Sequence, residues 1–165
     1  DLGGPVNKAA YFFATAGLST GDESSMQIMA AVMASGMVAP IALSLATFIR
    51  KSLFTPAEQE NGKSAWLLGL SFVSEGAIPF AAADPFRVIP SMMAGGAVAG
   101  AISMALSVGS RAPHGGVFVF FAIDPFWGYL VAIAAGVVVS TAAVLAMKQF
   151  WPNKAVEEAA QNVAA

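Results

Sequence analysis

Cysteine is absent from the 165 residues, which excludes disulfides, thiolate metal sites and a phosphocysteine. Histidine occurs once, too few for a multi-histidine cage, so neither a metal nor a cofactor is expected. Charge is scarce as well: Asp, Glu, Lys and Arg make up 11% of the chain, where soluble domains carry roughly 25%. The net charge is -2 with no basic run, so no nucleic acid partner is expected. The chain opens at Asp1 without a charged-then-apolar leader, and no signal peptide is read from it. Asp1 starts in mid-motif, which suggests a piece of a longer protein.

What is present is apolar length. Residues 26–49, 88–110 and 126–147 contain no charge at all. At 1.5 Å per residue the first would span about 36 Å, enough for a ~30 Å hydrocarbon core with some tilt. Arg50, Lys51 and Lys63 place a loop over 50–63 in the cytoplasm by the positive-inside rule, and the acidic loop 19–25 then lies outside. Lys148 and Lys154 put the end of the last span inside again. An even number of crossings must separate Lys63 from Lys148, and residues 88–110 and 126–147 supply two. On that count 64–87 enters and returns, and 111–125 does the same or lies at the outer face; a four-crossing alternative stays open. Gly3, Gly4 and Pro5 predict a turn and then a helix start. Gly36 and Pro40 predict a kink in the first span, and Gly96 with Gly100 fits the small-xxx-small pattern of closely packed helices.

One stretch stands out from this background. Residues 74–90 combine Glu75, Asp84 and Arg87 with Pro79, Pro85 and Pro90. Charges in an apolar surround are expensive and usually face a cavity, partner or pathway. Broken helix is tolerated at membrane depth only inside protein or beside water. Interrupted, re-entrant segments are where transporters build substrate sites. Glu75 is the first candidate: a carboxylate accepts strong charge-assisted bonds from sugar hydroxyls, or it serves as a partner for Arg87. Asp84-Pro85 reads as a helix N-cap with proline at the first helical position. Arg87, one turn on, is read first as neutralising Asp84 or Glu75 and second as a substrate contact. His114 lies in Pro113-His114-Gly115-Gly116, where the glycines permit close ligand approach. Asn7 and Lys8 form a further polar pair at an apolar boundary.

Two patterns are set aside. Residues 57–64 loosely match a phosphate loop, but Pro56 precedes them and Glu58 and Glu60 would repel phosphate, so a solvated loop is the better account. Residues 80–86 echo 120–126, which two separate Asp-Pro helix starts explain.

In residues 1–11, in 74–90 and in 112–116, the chain resembles the membrane-embedded enzyme IIC component of the bacterial phosphotransferase system, fructose-specific branch. The resemblance runs over nearly the whole chain. It implies an all-α membrane protein whose transmembrane helices include broken or re-entrant segments, with this chain the C-terminal half of the enzyme IIC fold. Residues 1–151 would belong to that domain and 152–165 to a cytoplasmic tail or linker. It further implies a homodimeric, multi-pass permease of the bacterial inner membrane, which moves fructose or a similar hexose while a phosphorylated enzyme IIB phosphorylates it. By position in the motifs Glu75 and His114 would bind sugar hydroxyls. From the residues themselves, Glu75 is also the candidate base, and Asn7, Asp84 and Arg87 are further candidate substrate contacts. The phosphoryl carrier is not in this chain, which lacks cysteine. A proton- or sodium-coupled sugar transporter is the alternative.

Overall fold

The computed structural model describes residues 2–151; the expectation for a tail from 152 falls outside them. The framework is three long apolar helices, α2 (Glu23–Ile49), α5 (Pro85–Ala105) and α6 (Phe126–Phe150), each long and apolar enough to cross a membrane. They correspond to the three uncharged runs. α2 is apolar on every face because it is the central helix, packed against α1 (Pro5–Leu18), α3 (Pro56–Leu70), α5 and α6. Asp22 starts it as N-cap, its carboxylate accepting from the Ser25 hydroxyl and the Ser25 N–H, at 2.7 and 2.8 Å. Those bonds hold the Asp22 carboxyl below its usual range. The helix runs on through Gly36 and Pro40 as one element, where the sequence suggested a kink.

α5 and α6 pack through small residues, and the pair singled out in the sequence packs α5 against α2. Gly95 lies against Gly136 and Ser140 so closely that a Cβ would collide with Ser140 Oγ and the Gly136 carbonyl. Gly96 and Gly100 face α2 instead, where Ser35 Oγ donates to the Gly96 carbonyl at 2.8 Å. Hydroxyls elsewhere close on backbone carbonyls in the same way, Ser140 on Ser91 at 3.0 Å and Thr141 on Ala42 at 3.3 Å. Such bonds give apolar helices register without leaving a buried hydroxyl unsatisfied.

α3 begins earlier than the sequence suggested. Thr55 and Glu58 form a capping box with Pro56 at the first position, so residues 56–63 are helix and not loop. Residues 57–64 therefore form no phosphate loop. The second Asp-Pro also behaves differently from the first. Asp124 ends a two-residue strand, β2 (Ile123–Asp124), antiparallel to β1 (Gly109–Ser110), and Pro125, after a cis bond, is the N-cap of α6.

Candidate functional site

The ends of α2 and α6 and the starts of α3 and α5 share one end of the bundle, its base. From there α3 rises along α2 until the chain doubles back. Phe72 makes the reversal with φ +65, a left-handed conformation rare for a bulky residue, of the kind that costs about 1–3 kcal/mol and clusters at functional sites. A 3-10 turn, Ser74–Ala77, follows, and the short helix α4 (Ile78–Ala83) descends to Asp84 at the base. Ser74 Oγ donates to the carbonyl of Gly36, the middle residue of α2, at 2.8 Å. Asn61 Nδ2 donates to the Gly76 carbonyl at 2.9 Å, tying the turn to α3. The segment expected to enter and return does so, and Glu75 stands at its tip, halfway along the bundle.

A second excursion meets it from the opposite end. Between β1 and β2 the chain turns inward, and the His114 ring lies 5.3 Å from the ring of Phe72. Gly116, at φ +58, presses on the hairpin so closely that a Cβ would strike the Leu70 carbonyl and lie 2.9 Å from the Phe72 nitrogen. Only glycine fits this position. The sequence suggested that the glycines after His114 permit close approach to a ligand; the neighbour Gly116 admits here is the hairpin backbone, while Gly115 faces Val119.

The third contributor is α1, whose start reaches the same height. A Cβ at Gly3 would lie 3.0 Å from Glu75 Oε1, so the turn leading into α1 abuts this carboxylate. Tyr11 places its ring 6.5 Å from that of Phe72. Between α1, α2, α5 and Ser74 lies a cavity of about 580 Å³, within the roughly 300–1,000 Å³ range of small-molecule sites. Asn7, Ser35 and Ser74 are its polar lining; residues such as Val32, Met92 and Met93 make the rest apolar. Glu75 and His114 are exposed and do not line it. Asn7 is therefore at the cavity, with Glu75 and His114 on two segments that meet at Phe72. Among the described residues no group of three or more His, Asp or Glu is placed to hold a metal.

Asp84 and Arg87 are elsewhere. Both are buried at the base, where Arg87 Nη1 donates to Asp84 Oδ2 at 2.8 Å. Asp84 is the N-cap residue of α5 with Pro85 at the first helical position, as expected, but its carboxylate makes no cap bond because it is engaged sideways. Lys148, near the end of α6, lies 3.2 Å from Asp84 Oδ2 and 3.2 Å from Glu58 Oε1. The other oxygen of Glu58 accepts from the Thr55 N–H at 2.8 Å. Phe54 lies under the Lys148 ammonium at 4.5 Å, and its ring meets that of buried Phe80 of α4 edge-on at 6.2 Å. The sequence reading missed two members of this network, Lys148 and Glu58. Lys148 had served only as a marker of orientation and Glu58 only as an argument against phosphate. The one signal available was Thr55-x-x-Glu58, a capping box that fixes a carboxylate at a helix start.

No family model and no solved structure matches the chain. Curated relatives do. The "PTS system fructose-specific EIIB'BC component" of Escherichia coli (strain K12) is 54% identical over 152 residues, covering 90% of this chain and 26% of the relative. The "PTS system fructose-specific EIIC component" of Haloferax volcanii is 48% identical over 162 residues, 98% of this chain and 42% of the relative. The "Fructose permease IIC component" of Bacillus amyloliquefaciens is 45% identical over 145 residues, 88% of this chain and 46% of the relative. The chain thus spans less than half the length of these relatives.

Proposed function

The chain belongs to the fructose-specific enzyme IIC components of the phosphotransferase system, and from that premise we propose that it is the sugar-holding part of a permease for fructose or a similar hexose. The permease is a multi-pass, homodimeric protein of the bacterial inner membrane, and the sugar it carries is phosphorylated by a phosphorylated enzyme IIB. Support for that partner comes from the Escherichia coli relative, whose name joins B and C components. The observation that carries the reading is the position of Glu75: a carboxylate at the tip of a re-entrant hairpin pinned to the midpoint of α2, facing a second excursion that brings His114.

The chemistry follows from the residue types. An ionised carboxylate only accepts hydrogen bonds, whereas a neutral imidazole has one donor and one acceptor nitrogen. Sugar hydroxyls, each a donor and an acceptor, can satisfy both. Glu75 accepts a sugar hydroxyl and takes its proton as phosphoryl transfer proceeds, which needs hydrogen-bond reach between the two. His114 and Asn7 hold other hydroxyls. Asp84 and Arg87, buried and paired, support the hairpin from below, and direct sugar contact is not assigned to them.

The test is labelled-fructose binding to membranes holding the full-length parent, wild type beside Glu75→Gln, with mannose and mannitol as competitors. We expect binding in the wild type and its loss in a variant that remains folded. Near-normal binding by the variant would remove Glu75 from the site. Uptake abolished by an ionophore but indifferent to phosphoenolpyruvate would replace group translocation with ion coupling.

A further inference from the structure

We propose that Lys148 is a positioning residue for the sugar site, fastening both feet of the re-entrant hairpin so that the base of the bundle sets the height and tilt of Glu75. The proposal rests on the reading of Glu75 as a sugar ligand. Three observations lead to it. First, the two carboxylates that Lys148 reaches are the two ends of the hairpin: Glu58 opens α3 and Asp84 follows α4, each 3.2 Å from the ammonium. Second, Lys148 is itself immobilised, with 2% of its side chain exposed, near the end of the long helix α6 and over the Phe54 ring. Third, the descending leg is short, tied at its top by Ser74 and Asn61 and at its foot by this network. α4 has six residues, and its one buried side chain, Phe80, leans on the same Phe54.

Stability alone is a weak reason to bury these charges. Buried ion pairs can often be replaced by apolar residues at no loss, whereas their directional bonds fix one arrangement. The network is balanced, Lys148 and Arg87 against Glu58 and Asp84; the two bonds of Lys148 run across the hairpin feet, while Arg87–Asp84 closes locally at the start of α5. A shift at the feet is carried by α3 and α4 to the turn that presents Glu75.

The experiment uses the full-length parent with nitroxide labels on cysteines placed at Ser71, beside the tip, and Glu23, at the start of α2, any other accessible cysteine being blocked. Pulsed spin-resonance distances and fructose Kd are read for wild type, Lys148→Met, Lys148→Arg and Glu58→Gln/Lys148→Met. The double variant leaves Asp84 and Arg87 paired, and the glutamine that replaces Glu58 still suits a capping box, so it stays folded even where Lys148→Met alone does not. We expect a narrow distance distribution in wild type and a broad one in the Met variants, with Kd raised about tenfold, a size such remote couplings reach. Lys148→Arg should restore both. A folded double variant with the wild-type distance and Kd would overturn the proposal. A wild type that binds no sugar, with distances that still broaden in the Met variants, would retire the sugar reading while upholding Lys148 as the fastener of the hairpin.

Discussion

At the base, Glu58, Lys148, Asp84 and Arg87 are buried and joined one to the next by ion pairs of 3.2, 3.2 and 2.8 Å. At mid-height Glu75 and His114 are exposed, and among the described residues no ion pair reaches either. Both regions set charge into an apolar surround, yet one satisfies it internally and the other presents it outward. A buried charge must be paired, or its desolvation dominates. A charge left exposed inside an apolar frame contributes little to the fold and is kept for something that comes to it. The contrast separates residues 74–90 into an exposed tip and a buried foot where the sequence suggested one site.

The comparison would break first at Asp84. Asp84→Ala removes the carboxylate that Lys148 and Arg87 share and should cost about 3–5 kcal/mol, read as a lower unfolding midpoint in detergent. Glu75→Gln should instead lie within about 0.5 kcal/mol of wild type while sugar binding is lost. Equal destabilisation by the two would erase the distinction. A smaller effect belongs to the junction of the two excursions. Gly116→Ala forces a side chain against the Leu70 carbonyl at a left-handed position and should cost about 1–3 kcal/mol, with weaker fructose binding as His114 is pushed off Phe72; unchanged stability and affinity would mean the excursions do not press on each other. The smallest lies outside both regions. Asp22 has a carboxyl held below its ordinary 3.8 by Ser25, so its cap is fully effective above that value and is lost as pH falls through the lowered folded pKa. Wild type and Asp22→Ala should therefore differ slightly at neutral pH and converge in acid, as thermal melts across pH would show.

Much of the frame was legible. Charge-free runs announced α2, α5 and α6, because a bilayer-length helix excludes charge along its whole span. Counting Lys63 and Lys148 on one side favours a segment 64–87 that turns back over the four-crossing alternative, and the chain does double back there. The base was not legible. Nothing local tells Lys148 that its partners are Glu58 and Asp84, since composition and spacing describe a helix and not what packs beside it. Polarity misled at 56–63, where Glu58, Glu60, Asn61 and Lys63 look like a loop but a capping box starts a helix. The Asp84 reading was right about the helix start, while the sideways use of its carboxylate depends on helix α6, far along the chain.

The contact between Gly116 and the hairpin backbone also has an electrical meaning. A membrane potential falls across the layer that water does not enter, and a full crossing is worth about 2.3 kcal/mol per unit charge per 100 mV. Two excursions that approach from opposite ends and touch at Phe72 would thin that layer to their junction if water filled the space behind each. The field would then be steepest near Glu75. A sugar moved by the permease proposed above, being uncharged, would cross such a field without work against the voltage.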